Sequence, residues 1–305
     1  MSMNRGSNRR VSSSALLAAI ACFLFGLEAS SAQQRPLPDQ DGFLQEARKH
    51  LQADYSLQSS YSYVETRREQ KLDDKGRPTS ESVKVFESYP GLPGEGRWER
   101  LIAEDGKPAS SSKLDAQDRE RQKKAQEYAQ RIATEPAKTN AKQVRDWEKA
   151  RRETADAVDD VFRVYDIRML GRESIEGHDT IAFSLTPRRG AQARTRDGSI
   201  MRHFAARAWV SELDHELVRL EAEAIETVPF GLGLIARMHK GSRIAFERRQ
   251  VNGEVWLPAV VTYVGSARVG LVKTIRRGGT SEFSNYRKFT VDTSTTYASP
   301  KPSEQ

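Results

Sequence analysis

Cysteine is nearly absent from this sequence. Cys22 is the single cysteine among 305 residues, and it lies in an apolar stretch close to the N-terminus. Two cysteines are needed for an intramolecular disulfide, so no such bond can hold this chain together. The chain must be stabilised by its own hydrophobic core, and a chain of this length can bury enough surface to form one.

Long hydrophobic runs are also scarce. The most extended apolar run is Ala15–Leu27, which is shorter than the roughly 20 residues that a membrane-spanning helix needs. Three arginines precede this run, and Ser30-Ser31-Ala32 supplies the small residues that a signal peptidase requires. Residues 1–32 are therefore predicted to be a cleavable signal peptide, and the protein is predicted to be periplasmic.

A lipoprotein signal is the second interpretation of the same segment. Ala19-Ile20-Ala21-Cys22 loosely resembles a lipobox, which would place a lipid on Cys22. However, the apolar run continues beyond this cysteine to Phe25, so the hydrophobic stretch before Cys22 would be very short. Cleavage after Ala32 is the preferred prediction, and lipid anchoring at Cys22 is the alternative.

Motifs for catalysis and for metal binding are weak throughout. Ser110-Ser111-Ser112-Lys113 contains Ser-x-x-Lys, but its serines open a highly charged stretch rather than a buried helix. The five histidines form no pair at metal-ligand spacing, and Gly231-x-Gly233 lacks the strand-then-helix context of a dinucleotide loop. The sequence therefore predicts a protein that is not an enzyme, with no catalytic residues, no metal, no cofactor and no nucleic-acid partner.

The stretch His203–Thr227 predicts a β-hairpin at the centre of the chain. Phe204, Ala206, Ala208 and Val210 alternate with His203, Arg207 and Trp209, and apolar residues alternate with charged ones from Val218 to Ala224, the period expected of half-buried strands. Between them, Ser211–Glu216 is rich in acidic residues and supplies the turn. Further alternating segments follow, so the hairpin is predicted to lie within an antiparallel meander.

The other segments predict one N-terminal amphipathic helix over Asp41–Tyr55, about ten antiparallel strands and a helical insertion. Asn252-Gly253 is the most favourable two-residue hairpin turn. The predicted strands are residues 60–72, 82–89, 97–104, 161–170, 178–187, 202–210, 217–228, 241–251, 255–266, 269–276 and 281–291.

Residues 113–158 differ from the rest of the chain in composition. They are rich in Ala, Gln, Glu, Arg and Lys, and Val144, Trp147 and Ala150 form only a thin apolar stripe. This pattern predicts a solvated helical hairpin inserted into one domain that spans residues 33–293. A disordered segment is the alternative for the insertion, and residues 294–305 are predicted to be a disordered tail.

Positive charge is concentrated towards the C-terminus. Residues 229–289 hold eleven Lys or Arg and three Glu. Such an excess indicates an anionic partner, such as a membrane surface with anionic headgroups. Solvated outer faces of strands are the alternative interpretation, because alternating strands must place charged residues on one side.

A resemblance to a known family rests on several of these features. The N-terminal helix, the long meander, the strand pair around Ala208-Trp209-Val210 and the closing segment Phe283–Phe289 resemble the LolA-like family of periplasmic lipoprotein carriers and sensor domains. The resemblance implies a mainly β, α+β fold, in which a curved antiparallel sheet or incomplete β-barrel wraps around helices and encloses an apolar cavity. The charged insertion departs from the simplest carriers.

Aromatic and aliphatic residues on the strands are the candidates for lining such a cavity. The same residues could instead be plain core residues, and the sequence does not divide the two groups. The candidate ligand-binding residues are Phe204, Trp209, Leu220, Phe230, Leu232, Leu234, Phe246 and Trp256.

The connection Pro229–Met238 is unusually apolar for a loop between strands. Arg237, Lys240 and Arg243 lie in or directly after it, so an apolar tip would stand beside a basic cluster. This arrangement predicts a contact with an anionic membrane or a partner. Inward packing that completes the core is the alternative.

Two functions of different classes follow from these features. The first is a non-enzymatic carrier of an apolar or acyl ligand, for which a lipoprotein is one candidate. The second is an envelope sensing or structural module that binds another protein and no ligand, because solvated helices often act as contact arms. The sequence predicts neither the identity of the ligand nor the oligomeric state.

Overall fold

The structure, a computed structural model, describes residues 35–58, 60–92, 96–230, 236–269 and 273–288. The predicted signal peptide and the predicted C-terminal tail lie outside these residues, as does the centre of the apolar connection, residues 231–235. Among the described residues, no helix is both long enough and apolar enough to span a membrane.

Four helices and thirteen strands are present in the described part of the chain. The helices are α1 Gln40–Gln58, α2 Ser111–Thr134, α3 Pro136–Val164 and α4 Arg196–Met201. The strands are β1 Tyr61–Leu72, β2 Pro78–Tyr89, β3 Trp98–Glu104, β4 Lys107–Pro108, β5 Tyr165–Ile175, β6 His178–Pro187, β7 Phe204–Ser211, β8 Leu217–Ala224, β9 Val228–Phe230, β10 Ala236–Met238, β11 Arg243–Val251, β12 Val255–Val269 and β13 Lys273–Lys288.

The strands form one open antiparallel sheet. Its order is β4-β3-β2-β1-β13-β12-β11-β8-β7-β6-β5, and the short hairpin of β9 and β10 joins it through β12. The predicted mainly β, α+β fold class, with an N-terminal helix and a charged helical insertion, is confirmed. The sheet does not close into a barrel, because its outermost strands β4 and β5 are not paired with each other.

The central hairpin of β7 and β8 has the predicted alternation. Ala206 pairs with Ala222 and Ala208 pairs with Leu220, so these apolar side chains share one face of the sheet. Arg207 and Trp209 point to the other face, where Arg207 pairs with Glu221. We call the first side the helix face, since α1 and α3 cover it, and the second side the open face.

The turn between β11 and β12 has the backbone that Asn-Gly favours. Asn252 has a φ of 55° and Gly253 a φ of 68°, so both central residues are left-handed, as a two-residue hairpin turn of this kind requires. An L-residue with a Cβ is sterically strained in this conformation. The predicted chain reversal at Asn252-Gly253 is confirmed, but Val251 pairs with Val255, so the loop contains three residues, 252–254, instead of two.

We expect Gly253→Ala to lower the free energy of unfolding by about 1 kcal/mol, because alanine is strained at a φ of this sign. Urea titration followed by circular dichroism measures the change. Gly96→Ala is the matched control, since Gly96 has no positive φ and a Cβ there would meet no atom within 4 Å. A Gly253 variant as stable as the Gly96 variant would contradict this prediction.

The predicted strand over residues 161–170 is wrong in its first third. Helix α3 continues to Val164, and β5 begins only at Tyr165. Val164 and Asp160 are both fully buried on this last helical turn. Tertiary packing of that turn outweighs the β preference of the valines, which is a weak signal over so few residues.

Two strands are predicted over residues 269–276 and 281–291, but residues 273–276 and 281–288 belong to one strand, β13. Gly278-Gly279 is typical of a turn between them, but both glycines pair with β12 and with β1. A Cβ at Gly279 would lie 2.6 Å from the ring of Tyr263 on the neighbouring strand. Glycine at this position therefore makes room for an aromatic ring instead of reversing the chain.

Glutamine side chains cover backbone groups at both edges of the sheet. Gln40 at the start of α1 accepts a hydrogen bond from Met169 N at 2.7 Å and donates one to Ile167 O, on edge strand β5. Gln117 of α2 accepts from Leu101 N at 2.8 Å and donates to Leu101 O at 3.1 Å, on β3. Each side-chain amide makes the hydrogen bonds that the backbone of an additional strand would make. The edge is thereby protected from pairing with another chain.

The predicted insertion forms two long helices. None of the α2 residues is buried, and Ser110 caps this helix by accepting a hydrogen bond from Lys113 N. The serine of the Ser-x-x-Lys motif is thus a helix cap. The second helix, α3, is solvated in its first half, but its last turns pack against the sheet and bury Asp160 and Val164.

Candidate functional site

An apolar cavity of about 660 Å³ lies on the helix face. Its floor is the sheet from β5 to β8 together with β11, and its walls are α1, the second half of α3 and α4. Almost all of its side chains are aliphatic or aromatic. The residues that line it include Leu44, Leu51, Val158, Val161, Phe162, Phe183, Leu185, Ile200, Met201, Phe204, Ala206, Ala208, Leu217, Leu220 and Ile244.

Small residues on the central strands leave the space open. Ala206, Ala208 and Ala222 present only a methyl group to the helix face, where larger residues would fill the space below α3. On the other side of the cavity, Phe43 of α1 packs on Phe183 of β6 with ring centroids 5.7 Å apart. The cavity therefore lies beside a well-packed core instead of replacing it.

A second cavity of about 440 Å³ adjoins the first. Ile200, Phe204 and Ile244 line both cavities. The second cavity extends towards Tyr263 on β12 and Ile275 on β13, and Arg243 and Arg277 also line it. The two cavities together form an elongated apolar site that spans the sheet from β5 to β13.

A buried carboxylate positions α4 at this site. Asp160 is fully buried at the end of α3, and its side chain accepts hydrogen bonds from Arg194 N, Thr195 N and Thr195 Oγ1 at 2.7–3.0 Å. Burial alone would raise the pKa of Asp160, but these hydrogen bonds hold the pKa below its ordinary value. Gly198 of α4 packs so closely that a Cβ there would collide with the Asp160 carboxylate.

The turn between β7 and β8 contacts α1 through His215 and the buried Trp256 through Asp214. The ring of His215 lies 4.6 Å from that of Phe43, between centroids. Asp214 accepts a hydrogen bond from Trp256 Nε1 at 2.8 Å. Burial tends to raise the pKa of Asp214, but hydrogen bonds from Ser211 and Trp256 bring this pKa below its ordinary value.

The open face bears a different, polar groove of about 900 Å³. Arg207 and Arg219 both lie over the ring of Trp209, with guanidinium carbons 4.8 and 5.4 Å from its centroid. Trp209 Nε1 donates to Glu173 at 2.8 Å, and Arg207 forms an ion pair with the same carboxylate. These contacts engage both the ring and the N–H group of the indole within the protein.

The predicted ligand-binding residues separate into five groups. Phe204 and Leu220 line the apolar cavity. Trp209 lies on the open face, so it is not brought together with them. Trp256 is buried against Asp214, and Phe246 follows Ile244 on the helix face but does not line the cavity. The remaining three lie where no side chain is described: Phe230, Leu232 and Leu234.

The predicted basic contact cluster is close to the second cavity. Arg237 lies in β10 and Lys240 in the turn that follows, and both side chains are exposed. Arg243 at the start of β11 forms an ion pair with Glu223 at 2.8 Å. The apolar connection before this cluster contains two short strands, β9 and β10, which the sequence did not predict.

Comparison with solved structures finds LolA-like proteins, while no family model and no curated protein matches the chain. A domain described as an outer membrane lipoprotein-sorting protein from Vibrio parahaemolyticus is 10% identical, with a TM-score of 0.33, over 81% of this chain and 90% of that one. A LolA superfamily protein from Nitrosomonas europaea is 9% identical, with a TM-score of 0.31, over 82% of this chain and 94% of that one.

The chain is similar to LolA-like proteins. At identities of 9–10% and TM-scores of 0.31–0.33, this similarity says nothing about a ligand. The contents of the cavity must therefore be inferred from this protein's own residues.

Several cavity residues are absent from the sequence-based candidates. Some of them lie on the strands, such as Phe183 and Leu185, and others lie on the helices: Val158, Val161 and Phe162 on α3, and Ile200 and Met201 on α4. The three α3 residues recur at the i, i+3, i+4 spacing of one helical face, and this spacing is the sequence pattern that indicates them. The residues around α4 are mostly polar, so no apolar pattern in the sequence indicates Ile200 and Met201.

Metal-ligating residues do not converge in the described part of the chain. No group of three or more His, Cys, Asp or Glu side chains there has an arrangement that could hold a metal ion. The polar groups among the cavity residues, such as Asp197 and Glu153, are few compared with the aliphatic ones.

Proposed function

We propose that this protein is an exported, non-enzymatic carrier that holds an acyl chain, or another elongated apolar ligand, on the helix face. The lipid part of a lipoprotein is one ligand of this class. The single observation that supports the proposal most is the pair of adjoining apolar cavities, which share Ile200, Phe204 and Ile244. Export rests on the predicted signal peptide in residues 1–32.

The chemistry of the cavity suits a hydrocarbon chain. The volume of the larger cavity, about 660 Å³, is within the range of roughly 300–1,000 Å³ that is usual for ligand sites. Transfer of a chain from water to such a site stabilises the complex by about 0.8 kcal/mol for each buried CH₂ group. Few polar groups need to be desolvated on binding, because aliphatic and aromatic side chains dominate the lining.

A protein-interaction module without a ligand is the second candidate function. The observation in its favour is α2, a helix of 24 residues with no buried residue. A solvated helix of this length offers a large surface to a partner protein. In that case the apolar cavity would have no role in binding, which distinguishes this candidate from a carrier.

We expect Ala206→Trp to weaken the binding of an acyl probe at least tenfold. Ala206 lines the cavity between Leu185 and Ala222, and an indole at this position would occupy the space below α3. The probe is cis-parinaric acid, whose fluorescence rises when it enters an apolar site. Fluorescence titration of the purified protein measures the dissociation constant.

Ala205→Trp is the matched control for this experiment. Ala205 is the neighbouring residue on β7, but it lines the polar groove of the open face. We expect this variant to bind the probe within about twofold of the parent, a free-energy difference of roughly 0.4 kcal/mol. A parent protein that does not bind the probe, or a folded Ala206 variant that binds as the parent does, would count against a carrier.

A further inference from the structure

The distal part of the insertion contains most of the net charge of the chain. Residues 119–152, in α2 and the first half of α3, hold eleven Lys or Arg and five Asp or Glu, a net of +6, whereas the entire chain has a net of +7. We call these residues the helical arm. A local excess of this size attracts anionic surfaces over the range of a Debye length, about 10 Å in dilute salt.

Part of this positive charge is not neutralised within the protein. Among the described residues, Arg119, Arg145 and Arg152 form no ion pair. The lysines of the arm do have partners, such as Lys142 with Asp146 and Lys149 with Glu153. These pairs are exposed and lie within one helix, where they contribute little stability and can exchange for other anions.

Large apolar side chains are exposed on the same arm. Trp147 is 55% exposed and Val144 is 54% exposed, one turn apart on α3. Arg151 stands over the ring of Trp147, 5.6 Å from its centroid. An exposed tryptophan flanked by arginines is typical of a helix that lies in the headgroup region of a bilayer, where the ring is buried and the charges meet phosphates.

The arm and the apolar cavity share one helix. The second half of α3, from Ala150 to Phe162, lines the cavity, and the first half belongs to the arm. We propose that the helical arm binds the surface of an anionic lipid bilayer through Trp147, Val144 and its unpaired arginines. This binding site is separate from the predicted basic cluster at Arg237 and Lys240, and it does not require the cavity to hold a ligand.

The test is sedimentation of the purified protein with vesicles. We expect binding to vesicles of phosphatidylglycerol and phosphatidylethanolamine, at least tenfold weaker binding to phosphatidylcholine vesicles, and loss of binding as salt is raised. Arg145→Glu with Arg152→Glu should weaken binding to the anionic vesicles at least tenfold. Trp147→Ser with Val144→Ser should weaken it without changing the preference for anionic lipid, because only the apolar contribution is removed.

Arg188→Glu with Arg189→Glu is the charge-matched control, since both residues are exposed and lie outside the arm. This control should bind within about twofold of the parent. Circular dichroism of each variant verifies that the helices are intact. Equal binding by the parent and the arm variants, equal binding to both lipid compositions, or no binding at all would overturn the proposal. So would a loss caused by Arg237→Glu with Lys240→Glu while the arm variants still bind.

Discussion

Asp160→Ala is expected to lower the free energy of unfolding by about 3 kcal/mol or more. A hydrogen bond to a charged group contributes roughly 1.5–3 kcal/mol, and the change would leave buried backbone N–H groups without acceptors. The groups affected are Arg194 N and Thr195 N, together with the hydroxyl of Thr195. Denaturant unfolding at neutral pH measures the loss.

The dependence of this effect on pH has a definite sign. The folded protein holds the pKa of Asp160 below its ordinary value, so folding favours the carboxylate. Its contribution to stability is fully present above the pKa of an unfolded aspartate, about 3.9, and disappears as the pH falls through the lower folded pKa. The difference in stability between the parent and the variant should therefore shrink below about pH 4.

Asp156→Ala is the matched control for Asp160→Ala. Asp156 lies on the same helix, one turn earlier, and its side chain is exposed. We expect a change within about 0.5 kcal/mol, as is usual for surface substitutions. If both variants lost the same stability, the interpretation of Asp160 as the residue that positions α4 would be wrong.

The hairpins of the sheet could be predicted from sequence because local chemistry and long-range packing agree there. Asn252-Gly253 requires a turn by its backbone preference alone, and the observed pairing of β11 with β12 centres on it. The same alternation also predicts which candidate site residues share a face of the sheet. Phe204 and Trp209 are separated by an odd number of positions on one strand, so they must lie on opposite faces.

The helical half of the site could not be predicted in the same way. Val161 and Val164 have the composition of a strand, but this turn is helical, with Val164 buried in the core and Asp160 hydrogen-bonded to residues 194–195. That contact joins residues more than thirty positions apart, so a local sequence pattern does not predict it. The contacts that cover the sheet edges could not be predicted for the same reason. Gln40 is hydrogen-bonded to Met169 on β5, and these two residues are far apart in the sequence.

Phe183→Ala is expected to lower the free energy of unfolding by about 3–5 kcal/mol, the usual cost of truncating a fully buried phenylalanine. The ring is 1% exposed and packs on Phe43, so it joins β6 to α1 beneath the apolar cavity. Because Phe183 lines the apolar cavity, its truncation would enlarge that cavity, and the cost of such a substitution rises with the cavity volume that remains. We also expect the amides of α1 to exchange with solvent faster than they do in the parent protein, because α1 loses the contact between Phe43 and Phe183.

Phe162→Ala is the control matched in residue type. Phe162 also lines the cavity, but it is only half-buried, with the guanidinium of Arg48 5.4 Å from its ring centroid. Truncation there should cost less than half as much as truncation of Phe183, because less apolar area returns to water. Thermal and denaturant unfolding of the two variants, together with hydrogen exchange of α1, measure the difference. Equal losses, or unchanged exchange of α1 in the Phe183 variant, would show that the helix is held on the sheet by other contacts.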